Sequence, residues 1–527
     1  MRLLYLPILL ILYNCIFLTT THTISTNNIQ NKLNIEYNTQ TNALIDSLNI
    51  VHFTNEYSKY KSYQKSLLLF YNNRKGKPYW IAEDKLSENG RMLLNKLNRL
   101  NEDAFNDIKQ SNDKIDSLLK LVPQKNTTSS TAEVLLSCLY LQYANYSWLG
   151  INSNQIKQLK WNIPSKKIST IDLLNRLSNE SFWNANPPIV REYELLKTYL
   201  NKYQVIKKNK KSFKIKHFKK FKILPGQKDT LIATTRRFFY EFGFLNRNNL
   251  SEIFDSSYMM GLHEFQQRMG LAHADILSNS EINEMNISID DRINQIRVNM
   301  ERLRWLPLYD KEEKIVINIP EFKLHLFNTD SLLYSMKVII GKTFQPTAVF
   351  KGDIEEIILC PYWNIPPGIL QNEILPAVRK NSNYLKQNHM EWYGSNIRQK
   401  PGYDNALGWI KFLFPNRYNI YMHDTPNKYL FEKNIRTFSH GCIRLENAKK
   451  LAVYLLRNTK NWNSTTIDDF IQKKQETKIK LNSRIPVYIV YRTAWVDKDG
   501  KLNLRKDIYG KDKLLLNWLD RKSVTNN

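Results

Sequence analysis

The window Phe438-Ser439-His440-Gly441-Cys442-Ile443-Arg444 places a thiol, an imidazole, a glycine and a guanidinium within a few residues of one another, and His423 adds a second imidazole upstream. Its flanks say what kind of fold must hold it. Tyr418-Asn419-Ile420-Tyr421-Met422 alternates polar and apolar side chains and reads as a strand that delivers His423 at its end. Asp424-Thr425-Pro426 then signals a turn. After the cysteine, Leu445, Ala448, Leu451, Ala452 and Leu455 recur at helical spacing, which predicts a helix from Leu445 to Leu456 with the thiol just before it. A free thiol has a pKa of roughly 8.5 and is a weak nucleophile when protonated. A neighbouring imidazole and a helix N-terminus both favour the thiolate. Glycine lets the chain approach a substrate closely, and the N–H groups of Gly441 and Cys442 are suited to face an oxyanion. A free cysteine is ordinarily a small buried hydrophobe, so it is the ordered surroundings that point to nucleophilic chemistry at Cys442. Either imidazole can serve as base. On a tight turn His440, two residues from the thiol, points elsewhere, which favours His423.

Hydrophobic content of 42% and charged content of 24% belong to a folded globular chain, and 527 residues are enough for two or three domains. Lysine and arginine total 77 against 49 acids, a formal charge of +28. No recognition motif accompanies this charge, so nucleic acid is not an expected partner. Met1-Arg2 precedes a mostly apolar run from Leu3 to Leu18, which reads as a signal peptide or short membrane anchor over residues 1–24. Four cysteines are present, Cys15, Cys138, Cys360 and Cys442. Export with Cys15 removed leaves an odd number, consistent with a free reactive thiol. Cys138 and Cys360 lie in apolar runs and are expected to be structural. No Cys/His spacing suits a metal, and no cofactor is expected.

Further motifs sharpen the reading: Arg398-Gln399-Lys400-Pro401-Gly402, Asn405-Ala406-Leu407-Gly408, Lys411-Phe412, Phe414-Pro415-Asn416 and Met422-His423-Asp424-Thr425-Pro426. With Ser439-His440-Gly441-Cys442 and Arg444 they resemble the L,D-transpeptidase family (YkuD-type catalytic domain), in its large multidomain periplasmic branch, over about Leu67 to Tyr491. The resemblance implies Cys442 as nucleophile and His423 as general base, oriented by the Asp424 carbonyl. It implies His440 and Gly441 as part of the catalytic lining and oxyanion hole. Arg444, Ser439, Asp424, Trp363 and Tyr421 are the implied substrate contacts. It implies acyl transfer on peptidoglycan: a thioester on the donor tetrapeptide stem, resolved by an acceptor amine to give a 3-3 cross-link. Alternatives are an L,D-carboxypeptidase or amidase using the same thiol, and a non-catalytic peptidoglycan-binding scaffold. The expected partners are stem peptides, with inner-membrane anchoring, no nucleic acid and a monomeric state. The expected location is the periplasm.

The fold class expected is α+β and multidomain. A helical scaffold region spans 58–206, with helical patterns at Lys85–Leu97, Lys114–Leu121, Thr131–Tyr146 and Ile168–Tyr203. A lysine-rich segment, Lys207–Lys222, reads as an exposed connector. A small three-helix peptidoglycan-binding-like module spans 228–288, where His273-Ala274-Asp275 replaces the family's Asp-Gly step. A linking helix spans 289–311. A mostly β catalytic domain, expected as a sandwich, spans 312–492 with a cap insertion at about 366–417. Trp363, where the insertion begins, and Tyr393 and Trp409 within it read first as aromatic core of the cap and only second as peptide contacts. Residues 493–527 form a basic tail with no readable pattern.

Overall fold

A computed structural model describes residues 44–82, 85–99, 129–178, 190–209, 214–215, 222–247, 249–307 and 313–524. The expected signal or anchor with Cys15, the helix at 114–121 and most of the lysine-rich segment lie outside the described residues. The chain divides into two compact units, Met1–Leu94 with Asn112–Cys138, and Asn95–Ser111 with Leu139–Asn527.

The first unit contains helices Ser47–Glu56 and Gln64–Asn73 and the N-terminal part of Ser129–Ala144. Its polar centre is Glu133, fully buried. The carboxylate accepts the N–H groups of Tyr79 (2.6 Å), Trp80 (2.9 Å) and Ile81 (3.0 Å) and the Tyr71 hydroxyl (2.8 Å). Burial raises its pKa, and these bonds oppose that rise. They also occupy three backbone donors that no helix or strand satisfies.

The second unit is organised by one sheet. Its strands are β1 (Trp161–Asn162), β2 (Lys314–Asn318), β3 (Lys323–Asn328), β4 (Ser331–Gly341), β5 (Val349–Leu359), β6 (Ile410–Leu413), β7 (Met422–His423), β8 (Thr437–Ser439), β9 (Ile443–Leu445) and β10 (Thr477–Val490). The hydrogen-bonded order is β6-β7-β9-β4-β3-β2-β10-β5-β1, with β8 beside β4. β6 also pairs with β5, so the sheet closes on itself. The expected sandwich is therefore a closed sheet. A register break in β10 between Lys480 and Ile485 accompanies the closure, as bulges bend strands. The inner face carries Phe412, Met422, Ile443 and Leu445, all buried.

The insertion between β5 and β6 folds around its own small core of Ile365, Ile374 and Ile397. It carries a three-stranded sheet of Trp363–Asn364, Asn396–Gln399 and Met390–Tyr393. A π-turn at Leu370–Ile374 lies between two short helical segments.

Upstream of the sheet, three helices, Thr230–Phe242, Ser256–Met269 and Asn279–Met285, occupy the module region. The helix Ile289–Trp305 follows. It buries Glu301, which takes the Arg304 guanidinium (2.7 Å), the Trp305 indole N–H (2.9 Å) and the Ile151 N–H (2.8 Å). The segment after Thr493, unread in the sequence, forms a hairpin (Ala494–Val496 with Leu502–Leu504) and a helix, Lys511–Val524. Arg268 donates to the Leu502 carbonyl (2.9 Å), and Arg302 pairs with Asp512 (2.6 Å). These contacts draw the chain's end onto the Ser256–Met269 helix and the Ile289–Trp305 helix. Among the described residues no helix is long and apolar enough to cross a membrane.

Candidate active site

Two strand pairings build the site. β7 runs parallel to β9 with Met422 opposite Ile443 and His423 opposite Arg444. β6 runs antiparallel to β7 with Lys411 opposite His423. Partners across a sheet share a face, and residues two apart on one strand do too. Lys411, His423 and Arg444 therefore project from one face. Cys442, just before β9, has its sulfur within reach of the Lys411 and Arg444 charges and of the Tyr421 hydroxyl. Tyr421, just before β7, packs against the same residues. Its ring lies 5.6 Å from the His423 ring, centre to centre, and 4.1 Å from the Lys411 ammonium.

Two local expectations change. Only Met422–His423 is strand. The Tyr418–Tyr421 stretch is a turn held by Asn416, whose side-chain oxygen accepts the Tyr418 and Ile420 N–H groups (3.0 and 3.2 Å). The helix after the thiol starts at Ala448, capped by Asn447, with β9 between it and Cys442. The helix dipole therefore does not act on the sulfur, because its influence is confined to the first turn.

His423 is buried, and its Nδ1 lies 2.5 Å from the Asp424 carbonyl. That bond assigns the proton to Nδ1 and leaves Nε2 as the basic nitrogen. Burial, then the Arg444 charge, push the ring pKa down to about 3; Lys411 pushes the same way, while the Asp424 and Leu407 carbonyls oppose the shift. The ring is neutral at ordinary pH. The thiol is also held neutral: burial raises its pKa, against the Tyr421 backbone and hydroxyl and the Lys411 and Arg444 charges. The expectation of a thiol poised as thiolate gives way to a neutral thiol and a neutral imidazole. The Cys442 Sγ lies 3.8 Å from the Asn419 carbonyl. The Tyr421 hydroxyl faces both the thiol and the Trp363 indole, and burial raises its pKa.

The other candidates separate. His440 is exposed, with Nε2 3.0 Å from Glu373 Oε1 on the π-turn of the insertion. Gly441 sits at φ +112°, with open space where a side chain would project. Arg444 makes no hydrogen bond among the described residues, and its Nε is buried. Ser439 and Asp424, expected to touch substrate, are turned inward. Ser439 is buried; its hydroxyl accepts the Gly441 N–H (3.1 Å) and donates to the Cys442 carbonyl (2.5 Å). The Asp424 carboxylate accepts the Lys428 ammonium (2.5 Å) and the Trp409 N–H (3.1 Å). Tyr393 is exposed and stacks on Arg398 at 4.1 Å. Cys138, Cys360 and Cys442 are all free. Among the described residues no cluster could hold a metal.

Sequence reasoning quoted Lys411 only as a motif flank. Its place opposite His423 depends on strand pairing, which the alternation Lys411-Phe412 does not reveal. A thiol, an imidazole and two cations gathered at one end of a sheet are groups that can support acyl transfer through a covalent intermediate.

Residues 312–467 match the family model of the L,D-transpeptidase catalytic domain, and residues 65–200 match that of the Scaffold domain. A provisionally named L,D-transpeptidase of Haemophilus influenzae is 30% identical over 249 residues, 42% of this chain and 50% of that relative. The chain thus spans about half the length of the curated relative it matches. An L,D-transpeptidase from Mycobacterium smegmatis is 13% identical, covering 34% of this chain and 58% of that one with a TM-score of 0.19. One from Stackebrandtia nassauensis is 11% identical, covering 53% and 95% with a TM-score of 0.20. The sequence match places the likeness to the L,D-transpeptidase catalytic domain in residues 312–467.

Proposed function

We propose that the protein is an L,D-transpeptidase that forms 3-3 cross-links in peptidoglycan through a thioester on Cys442. The observation that carries this reading is the sheet face shared by Lys411, His423 and Arg444, met by the Tyr421 ring and with the Cys442 sulfur within reach of Tyr421, Lys411 and Arg444, and His423 Nδ1 tied to the Asp424 carbonyl. The sulfur attacks the carbonyl of the L-centre of diaminopimelate in a tetrapeptide stem as its proton passes to His423 Nε2. The sulfur–carbon bond forms and the carbonyl π pair moves onto oxygen, facing the Cys442 N–H. Collapse breaks the bond to D-alanine, whose departing nitrogen takes the proton from His423. The amine of a second stem attacks the thioester, gives its proton to His423, and the thiol leaves reprotonated. A general base is needed in both halves because both partners start neutral. The uncommitted Arg444 guanidinium is placed to hold a stem carboxylate. The insertion carrying Glu373 and Trp363 acts as a cap that keeps water from the thioester. The substrate places this chemistry in the periplasm.

Incubation with a purified disaccharide-tetrapeptide tests the reading by product mass. A cross-linked dimer is expected from the native chain and nothing from Cys442→Ala. Tripeptide as the sole product would make the protein a carboxypeptidase, and dimer from the alanine variant would remove Cys442 from the chemistry.

A further inference from the structure

The turn that presents Cys442 is held from behind by residues that the catalytic reading leaves unused. At the end of β4, Gly341 lies where three stretches of chain cross. A Cβ there would sit 2.2 Å from the Gln345 carbonyl, 2.8 Å from the Thr347 nitrogen and 3.0 Å from the Gly441 Cα. Thr347 is fully buried in this crossing. Its hydroxyl accepts the Gly341 N–H at 2.9 Å and donates to the Gly441 carbonyl at 2.8 Å. One hydroxyl, accepting on one side and donating on the other, thus bridges the β4 end and the Ser439–Cys442 turn.

The Gly441 carbonyl and the Cys442 N–H belong to one peptide plane and point to opposite sides of it. A bond that fixes the carbonyl toward Thr347 therefore aims the Cys442 N–H away from Thr347. That N–H makes no hydrogen bond among the described residues, whereas the neighbouring Gly441 N–H is taken by Ser439 Oγ. At Gly441, φ +112° and the empty space beside Cα leave the peptide few local restraints of its own. The chain's C-terminal segment reinforces the crossing. Tyr509 donates its hydroxyl to the Gly341 carbonyl at 2.6 Å, and its own N–H is held by the Tyr491 hydroxyl at 2.9 Å.

We propose that Thr347 is a positioning residue whose hydroxyl sets the Gly441–Cys442 peptide so that the Cys442 N–H receives the developing oxyanion. The role rests on the reading of Cys442 as the acylated nucleophile. An oxyanion donor contributes only when it is pre-aimed at the place where charge develops. Loss of the Thr347 bond lets that peptide rotate without touching the sulfur, His423, Lys411 or Arg444.

The test compares two reactions of the same thiol in the full-length protein. Acylation by a carbapenem passes through an oxyanion, whereas alkylation by iodoacetamide displaces iodide at carbon and needs no oxyanion donor. Thr347→Val is expected to slow acylation by about ten- to a hundredfold, below the full loss of such a donor. Alkylation and its pH profile should stay within about twofold of native, since general reactivity of the thiol is untouched. Thr347→Ser, which keeps the hydroxyl, should recover most of the acylation rate. Thr347→Ala provides the same comparison should the valine variant not fold. Equal slowing of acylation and alkylation would mean a collapsed site and overturn the proposal, as would native acylation in both the Val and Ala variants. Cys442→Ala separates the two levels of inference. If it still forms the adduct, the nucleophile reading fails; if it does not while Thr347→Val acylates at the native rate, only the role of Thr347 fails.

Discussion

His423 is buried as a neutral ring, and this makes the stability of the closed sheet depend on pH. Its folded pKa is about 3, while in the unfolded chain it returns to about 6.5. Between these values the unfolded state binds a proton that the folded state refuses, so stability falls as pH falls below about 6.5 and the loss is complete near pH 3. Each pH unit in that window is worth about 1.4 kcal/mol. At pH 5 the ring has thus withdrawn roughly 2 kcal/mol from the sheet relative to neutral pH. At 4% exposure, solvent does little to dilute the effect. His423→Asn removes the titration and keeps a side-chain donor for the Asp424 carbonyl. Hydrogen exchange of the Met422–His423 and Ile443–Leu445 amides, corrected for intrinsic rates, reads the opening of this part of the sheet at pH 7 and pH 5. The native chain should lose about 2 kcal/mol more protection than the variant across that interval. Identical pH dependence in the two proteins would show that the ring is not held neutral by burial, and the neutral-pair mechanism would go with it.

His423→Ala should cost at least a hundredfold in acylation rate and His440→Ala less than fivefold, since the His440 ring is turned to Glu373; stopped-flow acylation decides, and the reverse order would exchange their roles. Tyr421→Phe removes a hydroxyl that favours the thiolate, so the midpoint of iodoacetamide alkylation against pH should move up by about one unit. Gly341→Ala forces a Cβ to 2.2 Å from the Gln345 carbonyl and should destabilise the second unit by about 3 kcal/mol in urea unfolding. Glu133→Ala strands three N–H groups in the first unit and should cost about 4 kcal/mol, seen as faster exchange of the amides of residues 79–81.

Where a segment satisfies its own pattern, the sequence was readable. The alternation in Lys314–Asn318 and Lys323–Asn328 marks two strands, and Gly270 closes the Ser256–Met269 helix in the left-handed conformation. Where a distant group overrides the local pattern, reading fails. Tyr418–Tyr421 alternates like a strand, but the Asn416 side chain captures its N–H groups and makes a turn. Leu445 fits the helical spacing that follows it and equally the strand alternation of Ile443 and Leu445, and pairing with β4 decides for the strand. The final segment looked featureless because Leu502, Leu504 and Tyr509 are scattered among charged residues. Their partners, Arg268 and Gly341, lie far back in the sequence. Of the proposed site, Cys442 and His423 can be singled out from the sequence as candidates. Their protonation was not, because burial is a property of the assembled sheet.

That protonation has a consequence for the second half of the proposed reaction. The acceptor is an amine, and only its unprotonated form is nucleophilic. Lys411 and Arg444 share the site face with the thiol, and like charges at short range repel an incoming ammonium. The same two cations disfavour an imidazolium at His423. The site therefore admits the amine in its reactive form and leaves His423 unprotonated when it arrives. Removing the positive charge with Lys411→Met should let the ammonium form compete. The pH at which cross-linking reaches half its plateau should then move upward, while the hydrolytic side reaction, whose nucleophile is uncharged water, should keep its profile. A parallel shift of both profiles would assign Lys411 to the thiol alone and refute a role in choosing the acceptor.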